Sequence, residues 1–237
     1  MILVTVCTLA VLMVLVERLA GARPWPVVRG WWPRALLLNG FQFGIAWLAG
    51  NTWEQWMGDF RPWSLEGLGL PLQTGLGYLA ITFVYYWWHR WRHEVDFLWR
   101  FVHQVHHSPA RIEILTSFYK HPLEILINSL LSTAILYLVV GVSVEAAAWA
   151  VLATGVAELF YHWNVKTPYW LGFLIQRPES HCVHHEEGRH RDNYADLPLW
   201  DMLFGTFHDP RRWEASCGFG EDREQRLGAL LRGERVA

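Results

Sequence analysis

Histidines are the residues of this sequence whose type and spacing could do chemistry. All 12 lie between His89 and His208. Eight of them form three short boxes: His89-x3-His93, His103-x2-His106-His107 and His181-x2-His184-His185. Residues three and four apart share one face of a helix, so each box can direct its rings toward one point. Neutral imidazole is a common ligand for Zn, Cu, Fe and Ni. Because eight or nine ligands exceed what one ion takes, the count predicts two metals.

Apolar segments must position these boxes. The chain is 52% hydrophobic and contains 16 Trp, a residue that is enriched where a membrane meets water. A membrane-spanning helix needs ~20 apolar residues. Five segments approach this length: residues 1–20, 35–57, 67–88, 123–140 and 144–161. Asn39, Asn51 and Glu54 interrupt the second segment, which could be a span or a partly buried helix. We therefore predict an all-α membrane protein with about four transmembrane helices.

Charge distribution predicts the orientation of these helices. Residues 1–16 are uncharged and basic residues follow them, which favours an uncleaved first span over a signal peptide. Two spans between the second and third boxes return the chain to one side. Placing that side in the cytoplasm puts all of the 20 Lys and Arg residues there except Arg61, as the positive-inside rule requires. We expect one membrane domain over residues 1–237, with its histidine-rich core at 89–121 and 162–208.

Composition also excludes some classes of protein. A net charge of −2 argues against nucleic acid as a partner. Cys7, Cys182 and Cys217 are widely spaced, which predicts reduced thiols and argues against a structural zinc site. The sequence leaves the oligomeric state open.

The boxes and their surroundings resemble the membrane fatty acid hydroxylase/sterol desaturase superfamily. The similarity covers residues 80–208 and extends beyond the boxes to several shorter motifs. These are Lys120-His121-Pro122-Leu123-Glu124, His162-Trp163-Asn164, Asn193-Tyr194-Ala195-Asp196 and the closing segment from Trp200 to Phe207.

This resemblance implies an O2-dependent, non-haem di-iron enzyme that hydroxylates or desaturates a membrane lipid such as a fatty acyl, sterol-like or ether lipid. Zn can replace Fe on isolation. By motif position the metal ligands would be His89, His93, His103, His106, His107, His181, His184 and His185, with His162 as a ninth. His121 and His208 are weaker candidates because nearby prolines suit a helix-boundary role, and we expect His190 to be solvated.

Two acidic residues are candidates for catalytic roles. Asp201 lies inside the closing motif and is the preferred hydrogen-bonding partner for a ligating histidine. Glu94 directly follows the first box, as in the alkylglycerol monooxygenase branch of the superfamily, where that residue is tied to a tetrahydropterin donor. No cytochrome-like or ferredoxin-like segment is present, so we expect electrons from a separate donor protein or from a pterin.

Three alternatives to a lipid hydroxylase stay open. A metal transporter would need polar ligands near the middle of the bilayer, whereas these histidines lie at the ends of the apolar segments. An inactive family member acting as a structural partner has no support from the intact boxes. Hydroxylation and desaturation share the same ligand pattern, and the family resemblance slightly favours hydroxylation.

Overall fold

The computed structural model describes residues 2–220 and 223–237 and contains only helices and loops over these ranges, apart from one isolated bridge between Glu186 and Cys217. The prediction of an all-α fold is therefore confirmed. The α-helices are α1 (Ile2–Ala20), α2 (Trp31–Gly50), α3 (Trp53–Asp59), α4 (Leu70–Glu94), α5 (Asp96–Leu98), α6 (Gln104–His107), α7 (Pro122–Thr133), α8 (Val144–Tyr161), α9 (Pro178–His184), α10 (Pro198–Phe204) and α11 (Leu227–Leu231). A π turn (Trp99–His103) leads into α6, and a second π segment (Ala134–Val140) continues α7.

Two helices in the described ranges are long and apolar enough to cross a membrane. They are α7 with its π extension (Pro122–Val140) and α8. Only 33% of the apolar stretch of the first helix and 28% of that of the second are buried within the protein, whereas the core helix of a soluble protein would be mostly buried. Large apolar side chains are also exposed on neighbouring helices, such as Leu36 and Trp47 on α2 and Val139 on the π extension of α7. Such a surface indicates contact with lipid.

The second predicted segment differs from the prediction, because it is divided into two helices. The α2 helix ends at Gly50, and α3 begins at Trp53. The side chains of Asn51 and Thr52 hydrogen-bond the carbonyl oxygens of Trp47 and Leu48. These polar side chains bond to the last turn of the helix, as is typical of residues that favour helix ends.

The two spans predicted between the second and third boxes are present as a hairpin of α7 and α8. Gly141 ends the π segment with φ +75°, and the Ser143 hydroxyl caps α8 by accepting from the Ala146 N–H. A side chain at Gly141 would meet Trp63, whose ring and carbonyl lie 2.5–2.6 Å from the position of a Cβ atom. The turn therefore needs glycine both for its backbone conformation and for the close approach of Trp63.

The two larger hydrophobic clusters among the described residues join different sets of elements. One joins α4, α8 and the π segment through Ile81, Leu136 and Ala150. The other contains Trp31 and Leu38 of α2, Val105 and Tyr119, and reaches Leu230 of α11. The second cluster holds the C-terminal helix against the segment that carries the second histidine box.

Candidate metal centre

The first box lies on the last turns of α4. This helix continues six residues beyond the predicted apolar segment 67–88, so that His89 and His93 stand on one face of a rigid helix. Their ring centroids are 5.2 Å apart. The helix ends at Val95, which has an extended backbone conformation.

The second box spans the π turn and α6. His103 is the last residue of the π turn, while His106 and His107 belong to the short α6 helix, and all three are at most 2% exposed. Single π turns occur frequently at functional sites. Gln104, the residue directly after the π turn, donates to the carbonyl oxygens of Leu230 and Glu234. The second box is therefore held against the C-terminal segment.

The third box and His162 come from the opposite side. His181 and His184 lie on α9, whose start carries Pro178, and His185 caps its end. His162 caps the end of α8, with its Nδ1 2.8 Å from the Glu158 carbonyl oxygen. All four are buried.

Nine histidines converge in two groups. In each group the nitrogen atoms that could bind a metal lie within 4.8 Å of one another. Group one contains His89, His93, His103, His107 and His184, and group two contains His106, His162, His181 and His185. The His107 and His185 rings stack at 4.1 Å and join the groups. These nine residues are the nine candidate ligands from the sequence.

Hydrogen bonds fix which ring nitrogen faces inward. His89 donates its Nδ1–H to the Tyr194 carbonyl oxygen at 2.7 Å. His103 directs its Nδ1 toward the Glu124 carboxylate at 3.1 Å, and the Arg92 guanidinium lies 3.2 Å from the same atom. A carbonyl or carboxylate accepts, so in the neutral tautomers that donate to these oxygens the Nε2 atoms carry lone pairs. These two lone pairs face each other at 3.0 Å.

A cation between the rings removes this repulsion. Two nitrogens about 2.1 Å from one ion and at right angles lie about 3.0 Å apart. In group two the Nε2 of His181 lies 3.0 Å from the Nε2 atoms of both His162 and His185. The Nε2 of His184 is buried and makes no hydrogen bond among the described residues. The residues therefore fit a metal ion in each group.

Burial also sets the charge state of the ligands. It lowers the pKa of all nine histidines, and the pKa values of His162 and His184 fall to about 3. The main cause is the cost of moving a charged imidazolium out of water. Neutral rings are the form that binds metals.

Two acidic residues orient rings of group one from the side that faces away from the metal site. Glu124 on α7 contacts His103 and forms a buried ion pair with Arg92. Asp201 accepts from the backbone N–H groups of Tyr194 and Ala195 at 2.8 and 2.9 Å. It thereby fixes the Tyr194 carbonyl oxygen that accepts from His89. Sequence reasoning selected Asp201 but missed Glu124, although the motif 120–124 contains it.

The remaining candidates lie outside the two groups. Glu94 is half exposed and pairs with Arg90. His121 caps α7, accepting from the Leu123 N–H, which agrees with a helix-boundary role.

The prediction that His190 is solvated is wrong: it is half-buried, with Nδ1 3.2 Å from Nδ1 of His107. It adopts a left-handed backbone conformation with φ 41°, which the histidine pattern did not predict. The His208 backbone N–H donates to Asn193.

A cavity of about 460 Å³ lies between α2, α4, α7 and α8. Its wall includes His89 and His103 of group one and His106 and His181 of group two. A molecule in the cavity can therefore reach both groups of histidines.

Comparison with known proteins gives the family. The chain is 33% identical over 147 residues to the ornithine lipid hydroxylase OlsE of Rhizobium tropici, covering 60% of this chain and 44% of that protein. It is 29% identical over 163 residues to the human (Homo sapiens) alkylglycerol monooxygenase, covering 65% of this chain and 34% of that protein. It is 25% identical over 130 residues to the sphingolipid C4-hydroxylase sur2 of Schizosaccharomyces pombe, covering 53% of this chain and 44% of that protein.

The chain thus spans less than half the length of each of these relatives. No solved structure gives a significant match. The relatives are lipid hydroxylases and monooxygenases, and the two apolar helices indicate a membrane protein. The fatty acid hydroxylase model matches residues 74–206, which include all nine converging histidines, and the chain belongs to the fatty acid hydroxylase family.

Proposed function

We propose that this protein inserts oxygen from O2 into a C–H bond of a membrane lipid at an all-histidine di-iron centre. The observation that carries this proposal is the convergence of nine neutral histidines, seven of them buried and two half-buried, on two adjacent points. Bound iron would supply the redox chemistry that side chains lack. Hydroxylation is the preferred outcome and desaturation the alternative.

The side chains of this protein have distinct roles in the proposed reaction. The five histidines of group one and the four of group two hold one ion each. Glu124 and the Tyr194 carbonyl oxygen orient His103 and His89. The cavity receives the lipid and keeps water away from the reacting carbon. In the proposed orientation the histidines lie on the cytoplasmic side of about four membrane-spanning helices.

Metal transport is the alternative from a different class. A transport site needs ligands near the middle of the bilayer. Here His162 lies just past the end of α8, and His89 and His93 lie in the last six residues of α4. The position of the ligands at helix ends favours the enzyme.

Removing one ligand from each group tests the proposal. We expect His106→Ala and His184→Ala to reduce lipid oxidation at least about 100-fold, because a directly coordinating side chain should contribute more than the supporting residues, which are worth 10–100-fold. Iron content should fall from two ions per chain toward one, while membrane insertion is unchanged. The measurements are metal analysis of the purified protein and lipid profiling of cells with and without it. His208→Ala serves as the control. Full activity and full iron content in either variant would contradict the assignment.

The electron donor is either a separate protein or a tetrahydropterin, as in an alkylglycerol monooxygenase-like enzyme. Glu94 is half exposed beside Arg90, so a donor molecule can reach it from outside. If a pterin is used, Glu94→Gln should lower pterin-supported turnover about tenfold and leave iron content unchanged, because the lost charge contributes only to donor binding. Turnover that needs no pterin would exclude this branch.

A further inference from the structure

The cavity opens toward the apolar surface of the molecule. Phe43 of α2 and Val151 of α8 both line it, and they are 39% and 41% exposed. One of these residues belongs to a helix that is apolar enough to cross a membrane. A lipid chain can therefore enter between α2 and α8 and extend toward the histidines.

The inner end of the cavity, next to the histidines, holds five charged groups, and Glu54 of α3 is a further charged group in the cavity wall. Arg92 pairs with Glu124, and Lys120 pairs with Glu158, so that four of the five charged groups there form two ion pairs. The fifth group is Asp196, which has no basic side chain within ion-pair distance in the described ranges and interacts with Tyr161.

Asp196 is held in the cavity wall. Its backbone carbonyl oxygen accepts from the Gln176 N–H at 3.1 Å, and the half-buried residue lines the cavity. Burial raises the pKa of Asp196 to about 7, and the charge of Glu158 adds to this shift. A buried carboxyl group without a full set of partners costs free energy, which a ligand can recover by supplying a donor.

The charges at the inner end decide what kind of ligand group fits. A phosphate or carboxylate would place a second anion beside the Asp196 carboxylate and would bring it no hydrogen-bond donor. With a plain hydrocarbon, Tyr161 would still hydrogen-bond Asp196, but the acceptor positions of the carboxyl group that face the cavity would receive no donor. An ammonium group would lie beside two groups of histidines that hold cations in the proposed function. An uncharged hydroxyl or amide N–H satisfies the carboxyl group without either cost.

We propose that Asp196 accepts a hydrogen bond from the lipid and that the cavity therefore selects lipids with a hydroxyl or amide N–H close to the carbon that is oxidised. This inference rests on the proposed function, because it takes the cavity as the lipid site. Asp196 acts as a specificity-determining residue, and the outer part of the cavity accommodates the alkyl chain.

Three probes with the same alkyl chain test this inference. Hexadecan-1-ol donates a hydrogen bond, methyl hexadecyl ether only accepts, and hexadecylamine carries a positive charge. Binding of each radiolabelled probe to the purified, iron-loaded protein in nanodiscs is measured without O2. We expect the alcohol to bind about tenfold more tightly than the ether, as one hydrogen bond predicts, and more tightly than the amine.

Variants then locate the selective group. Asp196→Leu should bring the ratio of alcohol to ether affinity to about one, while Asp196→Asn should keep most of it because the amide oxygen still accepts. Ser132→Ala, in the cavity wall on α7, is the matched control and should keep the ratio of the unchanged protein. Equal binding of alcohol and ether, tighter binding of the amine, or an unchanged ratio in Asp196→Leu would overturn the inference. Iron content and oxidation are measured separately, so failure of the proposed function is recognised independently.

Discussion

At the residue scale, a hydrogen bond to the ring nitrogen that faces away from the metal site orients the ring nitrogen that faces the site. Nδ1 of His89, His162 and His184 bonds a backbone carbonyl oxygen, whereas Nδ1 of His103 faces the carboxylate of Glu124. Replacing a side chain leaves the backbone carbonyl oxygen of that residue in place as an acceptor. Glu124 is therefore the support that a mutation can remove.

Replacement of Glu124 should weaken metal binding without removing a ligand. In Glu124→Gln, Arg92 loses its ion-pair partner and His103 loses its carboxylate acceptor. We expect affinity for the metal in group one to fall 10–100-fold, the usual effect of losing such a support. Competition with a chelator measures the affinity. Glu145→Gln, the same change on the exposed first turn of α8, is the control. Equal affinities in the two variants would show that Glu124 does not support the site.

At the element scale, short helices divide neighbouring residues between the two groups. Successive residues on an α-helix point about 100° apart. Accordingly His106 belongs to group two and His107 to group one, while His184 belongs to group one and His185 to group two. The second and third boxes therefore each contribute to both groups, whereas the first box contributes only to group one. The position of α6 and α9 accordingly matters more than any one ring.

The hairpin that joins α7 and α8 should be sensitive to side-chain size. In Gly141→Val, the left-handed backbone and the overlap with Trp63 should together lower stability by about 1–3 kcal/mol. Thermal unfolding in detergent, followed by tryptophan fluorescence, measures this loss. Gly67→Val is the matched control, because a Cβ there meets nothing within 4 Å. An unchanged midpoint in Gly141→Val would contradict the structural role of this turn.

At the scale of the whole molecule, all three boxes must lie on one side of the membrane. A single cysteine tests this in a Cys7→Ser background, since Cys182 and Cys217 are buried. A membrane-impermeant maleimide should label Glu66→Cys in intact cells. It should label Glu187→Cys, near the third box, only after the cells are permeabilised. Labelling of both in intact cells would refute the predicted cytoplasmic position of the histidines.

Much of this arrangement follows from short-range pattern. Spacings of three and four predicted which histidines share a face, and the apolar runs predicted the positions of α7 and α8. Features that depend on individual hydrogen bonds, or on contacts between distant segments, were not predictable in this way. The break after Gly50 depends on side chains that bond backward to the helix, and the π turn depends on backbone register. Asp196 and His190 acquire their neighbours only when separate loops meet.

Pairs of consecutive histidines have a further consequence for the distance between the two groups. Adjacent Cα atoms are 3.8 Å apart across a trans peptide. Because His106–His107 and His184–His185 each reach both groups, each pair joins the groups through a single peptide unit. We therefore expect the separation of the two groups to stay nearly constant when the opening of the cavity widens.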